Sequence, residues 1–187
     1  MSVNNSSSFI RPEEFWRRLG LQAGQRVVHL GSGAGFYLIP AAKIVGQSGS
    51  VIGVDVMTHL LSESENRAQR EQVAGVIHTV RADLEKNQGS TLPAGNADWV
   101  LVANILHQSD PAKILTEAKR LIKPNGRVVV VVWDVVATPL GPPAGQRFSK
   151  ETMLSIAQTV GLSLVKDFAP SPYHYSLVLK VTGKSAE

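Results

Sequence analysis

From Arg26 onward, short apolar runs rich in valine, isoleucine and leucine alternate with helix-like segments of mixed polarity. That alternation is the pattern of a parallel sheet with helices on both faces. "RVVHL" (26–30) reads as a first strand and "GFYLIPAAKIVG" (35–46) as the helix after it. Pro40 fits that helix only near its first turn, because proline has no N–H to give further in. "SVIGVDV" is a second strand, and Thr58 is placed to cap a polar helix running through Val73. "GVIHTV" is the third strand. "ADWVLVANIL" is the fourth, apolar on both faces as a central parallel strand should be.

Asp110 followed by Pro111 opens the helix "AKILTEAKRLI", "KPNG" stops it, and "RVVVVVW" is the fifth strand. After the connection "TPLGPPAGQRF", Ser149 caps "KETMLSIAQTV", with Gly161 just past its end. The strand patterns "LSLVKDF" and "YHYSLVLKV", separated only by "APSP", can be joined only as an antiparallel hairpin. The sheet is therefore expected to be mostly parallel with one reversed strand. Residues 1–8 read as a flexible tail and 9–187 as a single domain.

Composition narrows the chemistry. The 187 residues contain no cysteine, which removes disulfides, thiolate metal sites and cysteine nucleophiles together. A cytoplasmic location is the default expectation for such a chain. Nineteen Lys and Arg against fifteen Asp and Glu give a net charge of +4, with the basic residues scattered. Nucleic acid is permitted by that balance but not indicated. No apolar run approaches the roughly 18 residues of a membrane span, and the N-terminus lacks a secretory signal pattern.

The stretch "VVHLGSGAGFY" carries the candidate chemistry. Gly31, Gly33 and Gly35 stand where a strand hands over to a helix, so backbone there comes close to a neighbour or ligand. The next strand ends in Asp55, twenty residues after Gly35, where a carboxylate can take both hydroxyls of a ribose. An adenosine cofactor follows from the combination. A dinucleotide fingerprint wants a third small residue where this chain has Phe36, which counts against NAD. A tight structural turn with a surface aspartate is the plainer alternative.

The chain resembles the class I S-adenosylmethionine-dependent methyltransferases from about Glu13 to Val181, on the small-molecule, quinone C-methyltransferase-like branch. "VVHLGSGAG" resembles their first motif, "VIGVDV" their second, and "RADLE" sets Asp83 where the family meets the adenine amino group. "WVLVANILHQ" and "RLIKPNGRVVVVVW" match the segments around strands four and five. The resemblance implies a Rossmann-like, doubly wound α/β sheet of seven strands with the seventh reversed. It implies S-adenosyl-L-methionine as cofactor and S-adenosyl-L-homocysteine as product. Carried over by motif, the cofactor residues are His29, Gly31, Ser32, Gly33, Ala34, Gly35, Tyr37, Asp55, Val56, Asp83, Leu84 and Asn104.

One position departs from the family, which usually has an acid two residues before the first glycine; here it is His29. A neutral imidazole can accept a hydrogen bond there, whereas a protonated one would repel the cationic cofactor. Cofactor affinity is then expected to fall as pH drops through the His29 pKa; a packed histidine without ligand contact is the other reading. His29, His107 and His174 are all expected toward the cofactor edge of the sheet, with His174 roughly 10 Å or more from His29 on strand spacing. No metal site is expected. His59 and His78 read as structural or surface residues.

His107 is the candidate catalytic base, weighed against simple packing. Substrate walls are expected from Phe9, Phe15 and Trp16, the loop after strand four, Trp133, the connection 138–147, and Tyr173 and Tyr175. The two tyrosines either cover a flat substrate or pack the hairpin. The absence of Asn/Asp-Pro-Pro-Tyr/Phe after strand four disfavours adenine and glutamine amino-methylation, and the missing cysteines exclude cysteine-dependent pyrimidine C5 and arsenic methylation. The leading expectation is methyl transfer to a small-molecule acceptor. The alternatives are an RNA or protein methyltransferase, a catalytically silent cofactor-binding protein and, last, a nicotinamide oxidoreductase.

Overall fold

In the computed structural model, residues 10–138 and 140–183 are described. The tail expected over residues 1–8, and Phe9 as a substrate wall, lie outside them.

Seven strands form one sheet in the order β3-β2-β1-β4-β5-β7-β6. They are β1 (Arg26–Leu30), β2 (Ser50–Asp55), β3 (Ile77–Arg81), β4 (Ala97–Ala103), β5 (Ile122–Trp133), β6 (Leu162–Ser171) and β7 (His174–Val181). Strands β1 to β5 pair in parallel, and β7 runs antiparallel to both its neighbours, β5 and β6. This is the expected doubly wound α/β architecture with its reversed strand.

The helices are α1 (Pro12–Leu19), α2 (Leu38–Val45), α3 (Thr58–Arg70), α4 (Pro111–Leu121) and α5 (Lys150–Thr159). The two core layers follow the alternation of side chains along each strand. Val27, Leu101, Val129 and Val178 pack with Trp16 of α1, Ala42 of α2 and Ala68 of α3. Val28, Val100, Val130 and Leu177 pack with Leu115 of α4 and Met153 of α5 on the other face. Central strands buried on both sides explain the unbroken "VVVVV" of β5.

Asp110 caps α4 by accepting the Ala112 and Lys113 N–H groups, and Ser149 Oγ caps α5 by accepting Thr152 N–H. Pro40 sits in the first turn of α2, the one place the ring is harmless.

Several boundaries differ from expectation. Thr58 is the first residue of α3 rather than its cap; Met57 takes the cap position with no side-chain bond. The helix stops at Arg70 rather than Val73, because Gln72 turns left-handed (φ 57°) and the Val73 N–H returns to the Ala68 carbonyl at 2.9 Å. "KPNG" does stop α4, but it lies within an extended β5 as an irregularity, Ala97 pairing with Ile122 and Trp99 with Arg127. The final turn is Pro172–Tyr173 rather than "APSP", since Ser171 still pairs with His174. Helix α1 precedes the first element the pattern predicts. Its signals are Pro12 in the first turn, Glu13 and Glu14 there, Arg17 and Arg18 in the last, and Gly20 left-handed at its end (φ 84°).

Candidate cofactor cleft

The strand order reverses between β1 and β4, the point at which open α/β sheets bind ligands beyond their carboxyl ends. A cleft of about 600 Å³ lies there. Its walls come from the segments that follow four adjacent strands: Gly31 and Gly33 after β1, Asp55, Val56 and Met57 after β2, Ala82 to Glu85 after β3, and Ala103, Asn104 and Ile105 closing β4. Leu60, Gln108, Ser109 and Ile114 complete it.

The three loop glycines divide into two kinds. All have positive φ: 71° at Gly31, 52° at Gly33 and 84° at Gly35. A Cβ on Gly31 would lie 2.5 Å from the Ile105 side chain, and one on Gly35 would lie 2.7 Å from Ser64 Oγ. A Cβ on Gly33 would meet nothing within 4 Å. Gly31 and Gly35 therefore serve internal packing, and Gly33 alone leaves open space on the cleft side. The loop is tied to β2, whose Val54 carbonyl accepts the N–H groups of Gly31 and Ser32 at 2.8 and 3.0 Å.

Asp55 closes this corner. Its Oδ2 accepts the Gly33 N–H and its Oδ1 the Met57 N–H, each at 2.9 Å. Each carboxylate oxygen keeps a second acceptor direction free. Beside it Val56 and Met57 are exposed apolar side chains. Asp83 is exposed; its Oδ1 accepts the Glu85 N–H at 3.1 Å, and Lys86 Nζ lies 3.8 Å from its Oδ2. These features fit an adenosine: a carboxylate for vicinal hydroxyls, flanking apolar surface for a flat base, and a further carboxylate at the end of β3.

The structure thus brings Gly31, Gly33, Asp55, Val56, Asp83, Leu84 and Asn104 into one cleft. His29, Ser32, Ala34, Gly35 and Tyr37 lie outside its lining. Ala34 turns its carbonyl to Arg67 Nη1 at 2.9 Å. Ser32 is buried, its Oγ directly below Gly53, where a Cβ would come within 2.8 Å. His29 is 3% exposed on the α1 side of β1, packed edge-on to Tyr37 with ring centroids 5.5 Å apart. Burial pushes its pKa down to about 3, so it is uncharged at any working pH. The expected loss of affinity through a His29 titration near neutrality is corrected accordingly.

The expected substrate residues separate as well. Trp16 is fully buried, and its Nε1 donates to the Tyr37 carbonyl at 2.9 Å. Phe15 is buried against Trp16, Tyr37 and Phe168. Tyr175 lies in the opposite core layer with its hydroxyl donating to the Phe148 and Ser149 carbonyls. Both Trp16 and Tyr175 are core residues because their polar atoms find backbone partners there. Trp133 and Tyr173 remain half-buried at the carboxyl end of the sheet. His107 sits half-buried in a 3-10 turn (Leu106–Gln108), where desolvation lowers its pKa; the adjacent Gln108 and Ser109 line the cleft and His107 does not. No cluster of potential metal ligands occurs among the described residues.

Two features escaped the sequence reading. His174 contacts Asn104, at the end of β4, through Nε2 and Nδ2 3.4 Å apart. Arg147 binds four carbonyls of the loop after β5. Both are contacts between residues remote in sequence or set in irregular loop, where neither spacing nor composition carries a signal.

Residues 21–159 match the family model described as "Methyltransferase domain". The ubiquinone/menaquinone biosynthesis C-methyltransferase UbiE of Ectopseudomonas mendocina is 30% identical over 134 residues, 67% of this chain and 50% of that protein. The chain thus spans about half the length of such relatives. A SAM-dependent methyltransferase from Aquifex aeolicus superposes with a TM-score of 0.84 at 25% identity, covering 92% of this chain and 90% of that one. A chain from Sulfolobus solfataricus assigned to the type 11 methyltransferases gives 0.76 at 26% identity, covering 96% and 97%. The fold, the cleft and these similarities define one class. The chain belongs to the class I S-adenosylmethionine-dependent methyltransferases, with S-adenosyl-L-methionine as cofactor and S-adenosyl-L-homocysteine as product.

Proposed function

We propose that this chain transfers the methyl group of S-adenosyl-L-methionine to a small-molecule acceptor. The observation that carries the proposal is the Asp55 carboxylate, anchored by Gly33 and Met57 N–H groups at the rim of a cleft at the switch point. When bound, the cofactor supplies an electrophilic methyl on a sulfonium. The chain's own part is alignment. Asp55 takes the ribose hydroxyls, Val56, Asp83 and Leu84 border the adenine, and Gly31, Gly33 and Asn104 receive the amino-acid portion. Methyl transfer is an in-line displacement, so fixing the two reactants in register supplies most of the acceleration.

The acceptor side lies toward the carboxyl ends of β4 and β5 and the amino end of β7, beside Trp133, Tyr173 and His174. A small-molecule acceptor is supported by the similarity to UbiE, named as a C-methyltransferase of ubiquinone and menaquinone biosynthesis. No helix among the described residues is long and apolar enough to cross a membrane, and a cytoplasmic location completes the proposal.

The test is calorimetric titration with S-adenosyl-L-homocysteine, on the wild type and on Asp55→Ala. Micromolar binding by the wild type, weakened at least ten-fold in a folded Asp55→Ala protein, is the expected result. Absence of binding by the wild type overturns the proposal.

A further inference from the structure

Glu117 is a carboxylate in the buried stripe of α4, beside Ile114, Ala118 and Leu121, and it is 4% exposed. Its Oε1 accepts both the N–H of Ser90, at 3.1 Å, and the Ser90 hydroxyl. Arg120 binds both oxygens, Nε to Oε2 at 2.8 Å and Nη2 to Oε1 at 2.7 Å. Ser90 is itself fully buried, and its Oγ accepts the Leu92 N–H at 3.3 Å. Burial alone would raise the Glu117 pKa, but the bonds from Arg120 and Ser90 outweigh it and hold the group below its ordinary value. It is therefore charged at neutral pH.

For stability alone, well-packed apolar side chains serve a core position as well as a buried ion pair does. What this pair does is hold a loop. Residues 83–92, between β3 and β4, form no helix or strand and turn left-handed at Gln88 (φ 51°) and Thr91 (φ 59°). The outgoing limb brings Asp83, Leu84 and Glu85 to the cleft. Behind residues 85–88, against α4, lies a hollow of about 310 Å³, so core packing does not support that limb.

The support comes from the return limb. Gly89 runs so close to the outgoing backbone that a Cβ there would fall 2.1 Å from the Asp83 carbonyl oxygen and 2.9 Å from that of Lys86. Ser90 is the next residue, and Glu117 grips it by backbone and side chain together. A continuous run of contacts thus leads from Glu117 through Ser90 and Gly89 to Asp83. Glu85 adds a second tie to α4, its Oε1 accepting the Asp110 N–H at 2.8 Å.

We propose that Glu117 and Ser90 are positioning residues, which act through Gly89 to hold the Asp83 carboxylate where it accepts from the amino group of the cofactor's adenine. This rests on the cofactor placement proposed above. Asp83 has no anchor of its own outside the loop: its side chain is exposed, and its partners, the Glu85 N–H and Lys86 Nζ, move with it. The amino group is the one N–H donor of an adenine joined to ribose, so a carboxylate fixed at the end of β3 selects it. Without Glu117 the cleft persists, because the Asp55–Gly33 corner is built on β1 and β2. What is lost is the fixed place of Asp83, and with it the preference for an amino-bearing base.

Calorimetric titrations of the full chain test this with two ligands, S-adenosyl-L-homocysteine and its analogue whose base is unsubstituted purine, lacking only the amino group. The wild type should prefer the adenine ligand by about ten-fold. Glu117→Met keeps an unbranched side chain in the stripe but offers Ser90 no acceptor. It should bind S-adenosyl-L-homocysteine about five-fold more weakly and the purine analogue within about two-fold of wild type, so the preference falls to about two- to four-fold. Glu117→Gln keeps one acceptor oxygen for Ser90 and should retain more of the preference than Met does. General destabilisation would weaken both ligands together and leave their ratio alone.

A wild type that binds both ligands equally, an undiminished preference in Glu117→Met, equal weakening of both ligands, or an equal collapse in Glu117→Gln overturns the proposal. If Glu117→Met does not fold, Ser90→Ala decides in its place. It removes the hydroxyl contact, keeps the backbone one, and should lower the preference about three-fold; an unchanged preference overturns the proposal. Failure of the wild type to bind either ligand would instead defeat the cofactor placement itself.

Discussion

Asp55 Oδ2 accepts the backbone N–H of Gly33 at 2.9 Å, a bond that joins the end of β2 to the glycine loop 22 positions earlier. With Met57 N–H on the other oxygen, the side chain receives two backbone donors at once. A carboxylate suits that duty because both its oxygens accept, whereas an amide presents one oxygen and one NH2. Asp55→Asn must therefore set its NH2 against one of the two backbone N–H groups. The expected outcome is a loss of about 2 kcal/mol in urea unfolding together with at least ten-fold weaker S-adenosyl-L-homocysteine binding. A variant with wild-type stability and affinity would show that neither bond matters.

The loop glycines should separate stability from binding. Gly31→Ala and Gly35→Ala drive a Cβ into Ile105 and Ser64 at positive φ, and each should lower stability by about 2 kcal/mol or more. Gly33→Ala meets only open space, so the cost is the backbone strain alone, about 1 kcal/mol. Its added methyl stands where the ligand passes. Thermal unfolding with and without S-adenosyl-L-homocysteine checks this: Gly33→Ala should keep most of its own melting temperature and lose the ligand-induced rise. Three indistinguishable variants would contradict the division of labour.

His29 couples stability, not cofactor affinity, to pH. Its folded pKa of about 3 lies below the ordinary value of 6.5, so the unfolded chain takes up a proton that the folded chain refuses across that interval. Stability is complete above pH 6.5 and is lost as pH falls toward 3, at a limiting rate of about 1.4 kcal/mol per pH unit. His29→Leu should flatten the urea midpoint between pH 6.5 and 5 by about that much relative to wild type. Cofactor affinity should stay level from pH 8 to 5.5, because the imidazole is neutral throughout. An inflection in affinity near pH 6.5 would mean the ring is solvated after all.

The elements that build this cleft were legible because their signals are local. Asp110–Pro111 and Ser149 mark helix starts by capping chemistry, and the β-branched run of β5 marks a strand buried on both faces. Gly31, Gly33 and Asp55 were legible as a candidate site because the glycines follow one strand and the carboxylate ends the next, whereas Asp83 came only from the family resemblance of "RADLE". Trp16 and Tyr175 were harder, since an aromatic with a polar tip serves a cleft or a core equally well. What decided them was a carbonyl 21 residues away for Trp16 and two carbonyls 26 and 27 residues away for Tyr175. The contact of His174 with Asn104 spans 70 residues and depends on β7 lying next to β5, which no residue pattern near either one encodes.

Arg147 organises the loop between β5 and α5. Its Nε donates to Pro142 O, its Nη1 to Asp134 O and Val136 O, and its Nη2 to Leu140 O, at 2.8 to 3.2 Å. The guanidinium also lies 5.8 Å from the centre of the Trp133 ring, and Gly141 approaches that indole so closely that a Cβ would fall 2.5 Å from it. One side chain thus folds the loop down onto the tryptophan that flanks His174. The planar fork can reach four carbonyls; an ammonium with three tetrahedral donors cannot, so lysine is no substitute. Arg147→Lys should leave the global melting temperature nearly unchanged, because the core strands make none of these bonds. Limited proteolysis within 134–147 should accelerate about five- to thirty-fold, reflecting about 1–2 kcal/mol less resistance to local opening. Equal cleavage rates in the two proteins would show that the loop is held by Gly141 and Trp133 without the arginine.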